Sequence, residues 1–157
     1  MRPRYIASIL TIIGLGGCDP CYNVACDEPN VGYINGLHFE FDKEQFPFAS
    51  IDNAMVLRFG EGNLDQPLDT IFLKDIITDE ERSFHIAPMA DADGQAPHVY
   101  GIYDNNREYA YFVSNIATVG FYPTDCCCCY RNTLKTFVLN GESKDLSGTT
   151  DVVVLQK

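Results

Sequence analysis

The sequence has no tryptophan, only three histidines and three methionines, and half as many basic residues as acidic ones, 11 against 22. That shortage of cations, a formal net charge of −11, argues against a surface that tracks phosphates and so against nucleic acid as a partner. No apolar run reaches the roughly 20 residues that a membrane-spanning helix needs, so no transmembrane helix is expected. No segment sustains apolar residues at helical spacing, which sets aside helix bundles and coiled coils. Neither Ser50 nor Ser83 sits in a Gly-x-Ser-x-Gly elbow, and Gly60-Glu-Gly62 lacks the strand–helix setting of a phosphate loop. With no catalytic constellation, the chain reads as a non-enzyme without a cofactor. What is present is 157 residues, 46% hydrophobic, a length that suits one domain able to bury its own core.

The N-terminus carries the sharpest signal. Arg2 and Arg4 precede Ile6–Leu15, ten residues that are all apolar or small, the layout of a secretory signal. The signal ends in Leu15-Gly16-Gly17-Cys18. This resembles the lipobox of bacterial lipoproteins. The resemblance implies that the Cys18 thiol receives a diacylglycerol, that residues 1–17 are removed, and that the new amino terminus is acylated, palmitate being a typical chain. The alternative is an ordinary signal peptide that ends in a cysteine. Each buried acyl methylene contributes about 0.8 kcal/mol, and more than one chain gives stable attachment. Loss of Arg2 and Arg4 moves the formal charge from −11 to −13, so the lipid rather than a basic patch holds the domain to the bilayer.

Asp19, directly after the cysteine, resembles the inner-membrane retention signal of enterobacterial lipoproteins. The acidic, Cys-rich start with Asp27 and Glu28 resembles small lipoproteins of Bacteroidota, in which acidic residues near the cysteine act as a surface-export signal. The reading favours the outer membrane, on its periplasmic side or at the cell surface, over the inner one.

Residues 18–30 hold two prolines and three cysteines and form the lipidated tether; residues 31–157 form one domain. In Leu37-His-Phe-Glu-Phe-Asp42 the apolar residues share one face and the polar residues the other, which marks a half-buried strand. Asn35-Gly36 before it is a type I′ hairpin signal. Further strands are expected over 54–59, 69–73, 83–87, 98–103, 108–114, 116–122, 131–139 and 151–155. Asp104–Arg107 reads as one hairpin loop and Asn140-Gly141 as another. Thr78-Asp-Glu-Glu81 has capping-box spacing but no apolar stripe after it, so at most one helical turn is expected there. The expected fold is all-β: an antiparallel β-sandwich, Ig-like or similar, of about eight short strands.

If Cys18 is lipidated, six thiols remain: Cys21, Cys26 and the run Cys126, Cys127, Cys128 and Cys129. Outside the cytosol, disulfides are the default expectation. Neighbouring α-carbons lie about 3.8 Å apart whereas bridged ones sit near 5.5 Å, so adjacent cysteines rarely pair. The run therefore needs Cys21 and Cys26, and at least one bridge between the two clusters is expected. Cys126 closing on Cys129 across a turn would allow a third bridge. The rival is a zinc or iron–sulfur site on Cys21, Cys26, Cys126 and Cys129, but four contiguous cysteines suit tetrahedral geometry poorly. Cys18-Asp-Pro-Cys21 has redox-motif spacing without the βαβ setting that such a motif needs.

Other polar residues carry weaker signals. His38, His85 and His98 read as strand positions, with no argument that they meet. Asp91-Ala-Asp93-Gly94 resembles the start of a calcium loop, but its glycine comes early and Ile102 stands where the closing glutamate belongs. The bland reading is an acidic turn; the alternative is a calcium site on Asp91 and Asp93. Tyr100, Tyr103, Tyr109 and Tyr111 suit a sheet face or, as the alternative, a glycan platform. The chain thus reads as an envelope-anchored lipoprotein that contacts a protein partner or supports an assembly. The alternative is a module for glycan or calcium. The sequence does not determine the oligomeric state.

Overall fold

In the computed structural model the described residues are 34–60, 62–88, 95–121 and 131–157. The described residues form ten strands: β1 (Leu37–Phe41), β2 (Met55–Gly60), β3 (Asn63–Phe72), β4 (Ser83–Ile86), β5 (Gln95–Ala96), β6 (Val99–Tyr103), β7 (Ala110–Phe121), β8 (Arg131–Leu139), β9 (Glu142–Asp145) and β10 (Val152–Leu155). Two 3-10 turns, Phe48–Ser50 and Leu73–Asp75, lie among the same residues. The strands make two sheets. The smaller has the order β10-β1-β4; the larger runs β3-β2-β6-β7-β8-β9, with β5 paired to the lower part of β7. The fold is an all-β sandwich. All pairings are antiparallel except β1 with β10, which run parallel.

Alternation in β1 sets the core. Leu37, Phe39 and Phe41 have no solvent exposure and pack with Phe84, Ile86 and Leu155 of their own sheet. Across the interior they meet Val56, Ile102, Val113 and Phe137 of the larger sheet. Phe39 joins the two layers: its ring lies 5.8 Å from Phe84 in its own sheet and 6.0 Å edge-on from Phe137 in the other.

The local turn signals act as their chemistry dictates. Asn140 (φ 49°) and Gly141 (φ 87°) both lie in the left-handed region and close the β8–β9 hairpin, with Leu139 opposite Glu142. A second left-handed asparagine, Asn115 (φ 50°), sits where the β7–β8 register shifts between Ser114 and Ala117. This bulge lets one twelve-residue strand occupy the span that period two alone divides into 108–114 and 116–122.

Two expected features take a different form. Ile34 and Asn35 are helical, so Asn35-Gly36 leads into β1 from a helical residue rather than closing a tight hairpin. Thr78 Oγ1 does accept the Glu81 N–H, at 2.9 Å, but the Thr78 N–H donates to the Glu81 carbonyl, and the segment is a turn without a helical residue.

The two ends of the sandwich differ. At the base, Asn132 Nδ2 donates to Asn35 Oδ1 at 2.9 Å, so the first described residues lie beside the start of β8. At the top, the C-terminus is tied down. Tyr111 Oη donates to the Gln156 carbonyl at 2.8 Å, Gln156 Nε2 donates to the Asp42 carboxylate, and Lys157 Nζ lies over the rings of Phe46 and Tyr109. Burial, helped by the nearby Asp104 and Tyr109, pushes the Tyr111 hydroxyl up to about 12. Arg82, almost fully buried, donates to the Phe46 and Asp79 carbonyls and pairs with the Asp79 carboxylate, which pins the 78–82 turn beneath the loop after β1.

Lys135 is the one lysine without solvent exposure among the described residues. Its Nζ donates to the Thr149 carbonyl at 2.9 Å, and burial pulls its pKa below the ordinary lysine value while Asp151 opposes that fall. The folded chain therefore holds this proton less tightly than the unfolded chain does. Stability from this group is expected to rise as pH climbs through the window below 10.5, where the unfolded lysine is still charged. Thermal melts of the wild type should show that rise, and Lys135→Met should flatten it. An equal pH slope in both proteins would contradict the assignment.

Candidate functional site

The site residues expected from sequence alone fall outside the described residues. Cys18, Cys21, Cys26, Cys126, Cys127, Cys128 and Cys129 all do, as do Asp91 and Asp93. The run of four cysteines belongs to the connection 122–130 between β7 and β8, whose flanking residues Phe121 and Arg131 are paired. Among the described residues no three His, Cys, Asp or Glu side chains form a metal-binding group, and no helix is long and apolar enough to cross a membrane.

The histidines divide. His38 and His85 stand directly opposite each other on β1 and β4, their ring centroids 5.8 Å apart. His98 precedes β6 in the other sheet, and its Nδ1 is buried with no hydrogen-bond partner. The tyrosines divide as well. Tyr100 and Tyr111 are buried in the core, Tyr109 packs on Phe46, and Tyr103 lies edge-on to Phe112. They form no single exposed platform. Tyr103 also covers Gly101, where an added Cβ would fall 2.6 Å from the ring, so the side-chain-free position is what lets the ring lie flat on the strand.

The feature that stands out is β3. It forms one end of the larger sheet, and all ten of its residues are exposed. Its geometry follows from its neighbours. Gly62 (φ 72°) turns the chain between Gly60 and Asn63, and the Asp65 N–H donates to Asn63 Oδ1 to start the strand. Pro67 sits opposite Phe59, where the register with β2 shifts. From Asp69 to Phe72 the pairing with Arg58 to Met55 is unbroken. The smaller sheet does not extend over β3. Leu64, Leu68, Ile71, Phe72 and, just beyond, Ile76 are consequently between 44% and 58% exposed, half of all the large apolar side chains left exposed in the described structure.

A groove of about 340 Å³ runs between this overhang and β4. Arg58, Asp69 and Tyr100 line it, with Ile71 and Ile76 on one wall and His85 on the other. Arg58 bonds Asp69 at 2.6 Å, and that hydrogen bond raises the Arg58 pKa above its ordinary value. A sheet edge with apolar side chains and a mixed groove is equipped for recognition of another chain.

Sequence patterning locates only the end of this strand, over 69–73. Asp65 and Pro67 interrupt the alternation of its first half. The usable signal is Pro67 itself, since proline in a strand belongs to an edge or a bulge. Comparison with protein-family models, curated proteins and solved structures finds no match.

Proposed function

We propose that this protein is a non-enzymatic lipoprotein of the cell envelope that contacts a protein partner or supports an assembly, held to the outer membrane by lipid on Cys18. The observation that carries the partner-contacting part is the β3 edge, whose ten residues are all exposed and whose apolar side chains continue to Ile76. Monomeric soluble proteins rarely leave such a stretch open unless it serves an interface. The anchoring part rests on Leu15-Gly16-Gly17-Cys18.

The test places a photo-crosslinking residue singly at Phe72, Phe121 and Val154, three exposed apolar positions on different strands. Crosslinking is carried out on the full chain in its native membranes. A discrete protein adduct from Phe72 is the expected result. No adduct from any of the three would contradict the reading.

A further inference from the structure

We propose that the Asp69–Phe72 stretch of β3 accepts a short extended segment of a partner protein as an added strand, and that this segment alternates apolar and basic side chains. The proposal rests on the partner-contacting reading above and adds where and how the contact is made.

The backbone comes first. Among the described residues β3 pairs with β2 alone, so its other side offers main-chain groups that no described strand pairs. Proteins commonly blunt such an edge with lysine, proline or a bulge. β3 has no lysine, and its proline and its register shifts lie below Asp69, Leu68 being the unpaired residue of the first shift. The stretch above them is regular and ends at the 3-10 turn Leu73–Asp75. The edge is thus interrupted by its proline and bulge along the first part and regular over the four residues Asp69–Phe72, enough for a short strand.

Side chains set the chemistry. Successive residues of a strand point to opposite faces, so Asp69 and Ile71 share the face toward the groove while Thr70 and Phe72 share the outer one. A strand added here meets Asp69 and Ile71 with two side chains on one face, two positions apart, one basic and one apolar. Arg58 already pairs with Asp69, but the Asp69 side chain remains 46% exposed and can take a second cation.

Charge selects the occupant. Residues 62–81 hold six acidic side chains and one lysine, Lys74. A second copy of this chain brings the same net −11 and is repelled, whereas a basic segment is attracted. The outcome is edge-strand recognition in which main-chain bonds supply affinity and the side-chain alternation supplies selectivity.

The test uses the full chain and two capped synthetic octapeptides, one alternating lysine and valine, the other glutamate and valine. Amide hydrogen exchange is expected to slow within Asp69–Phe72 when the lysine peptide is added. Binding, followed by fluorescence anisotropy, is expected to weaken by about tenfold for the glutamate peptide and for the doubly substituted Thr70→Lys, Ile71→Lys chain, as like charge on an edge dictates. Both positions are exposed, and an unchanged thermal melt checks that the variant is folded. Protection appearing elsewhere, or equal binding by the variant, overturns the β3 site. So does equal binding of the two peptides. The crosslinking result separates the two readings. Adducts from Phe121 or Val154 alone overturn the β3 site and leave a partner-contacting protein standing; no adduct at any position removes both.

Discussion

Phe39→Ala is expected to destabilise the domain by about 3–5 kcal/mol, the usual range for removing a buried aromatic ring. The whole domain is expected to have about 5–15 kcal/mol to lose. The size of the effect follows from position. Phe39 has no solvent exposure and stands in the middle strand of the three-stranded sheet, against Phe84 beside it and Phe137 across the interior. Neither sheet can close over the gap without moving the other, so little of the cavity collapses. Phe72→Ala on the open edge is the control, expected to change stability by less than about 0.5 kcal/mol. Urea unfolding of the two variants measures the contrast. A Phe39→Ala loss below about 1 kcal/mol would mean that the sheets do not depend on this contact.

The second large effect concerns the cysteines. A bridge from Cys21 or Cys26 to the 126–129 run is expected, and it closes a loop of roughly a hundred residues, so reducing it should cost about 4–5 kcal/mol in the chain-entropy description. The expectation rests on the placement of the cysteines in the sequence, and they lie outside the described residues. Asn132 follows Cys129 by three positions and Asn35 follows Cys26 by nine, so described residues close in sequence to each cluster touch at the base of the sandwich. Peptide mapping without reductant is expected to recover a fragment that joins the two clusters, and reductant is expected to lower the unfolding midpoint. Bridges confined to each cluster, or a midpoint indifferent to reductant, would contradict the assignment.

Much of the fold was legible where one physical rule acts alone. The alternation of Leu37, Phe39 and Phe41 marks a strand because a sheet facing a core demands period two, and all three residues are buried. Asn140-Gly141 marks a hairpin because both positions must be left-handed, and both are. Legibility fails where two rules compete. β9, Glu-Ser-Lys-Asp, has no apolar residue and is held by its hairpin and its pairing with β8. The Asn140-Gly141 turn was the available sign that a strand must follow it. The parallel pairing of β1 and β10 joins strands more than a hundred residues apart, and no local pattern encodes it. In Thr78–Glu81 the capping bond forms, but no apolar face follows to hold a helix.

The candidate site was less legible than the fold. The lipobox-like Leu15-Gly16-Gly17-Cys18 and the cysteine clusters are chemical patterns and can be read one residue at a time. The β3 edge is defined by absence: the smaller sheet ends at β4, and no described residue covers Asp69–Phe72. Apolar side chains such as Ile71 and Phe72 look the same in sequence whether buried or exposed. Only the width of the opposing sheet distinguishes the two, and that is a tertiary property.

The central claim is that a β-sandwich stands outside the cytosol on a lipid attached to Cys18. Intact mass analysis of the chain purified from cell membranes tests it most directly. The account predicts a polypeptide that begins at Cys18 and carries the added mass of a diacylglycerol with a further acyl chain. A chain that retains Met1, or one that begins at Cys18 with an unmodified thiol, would contradict it.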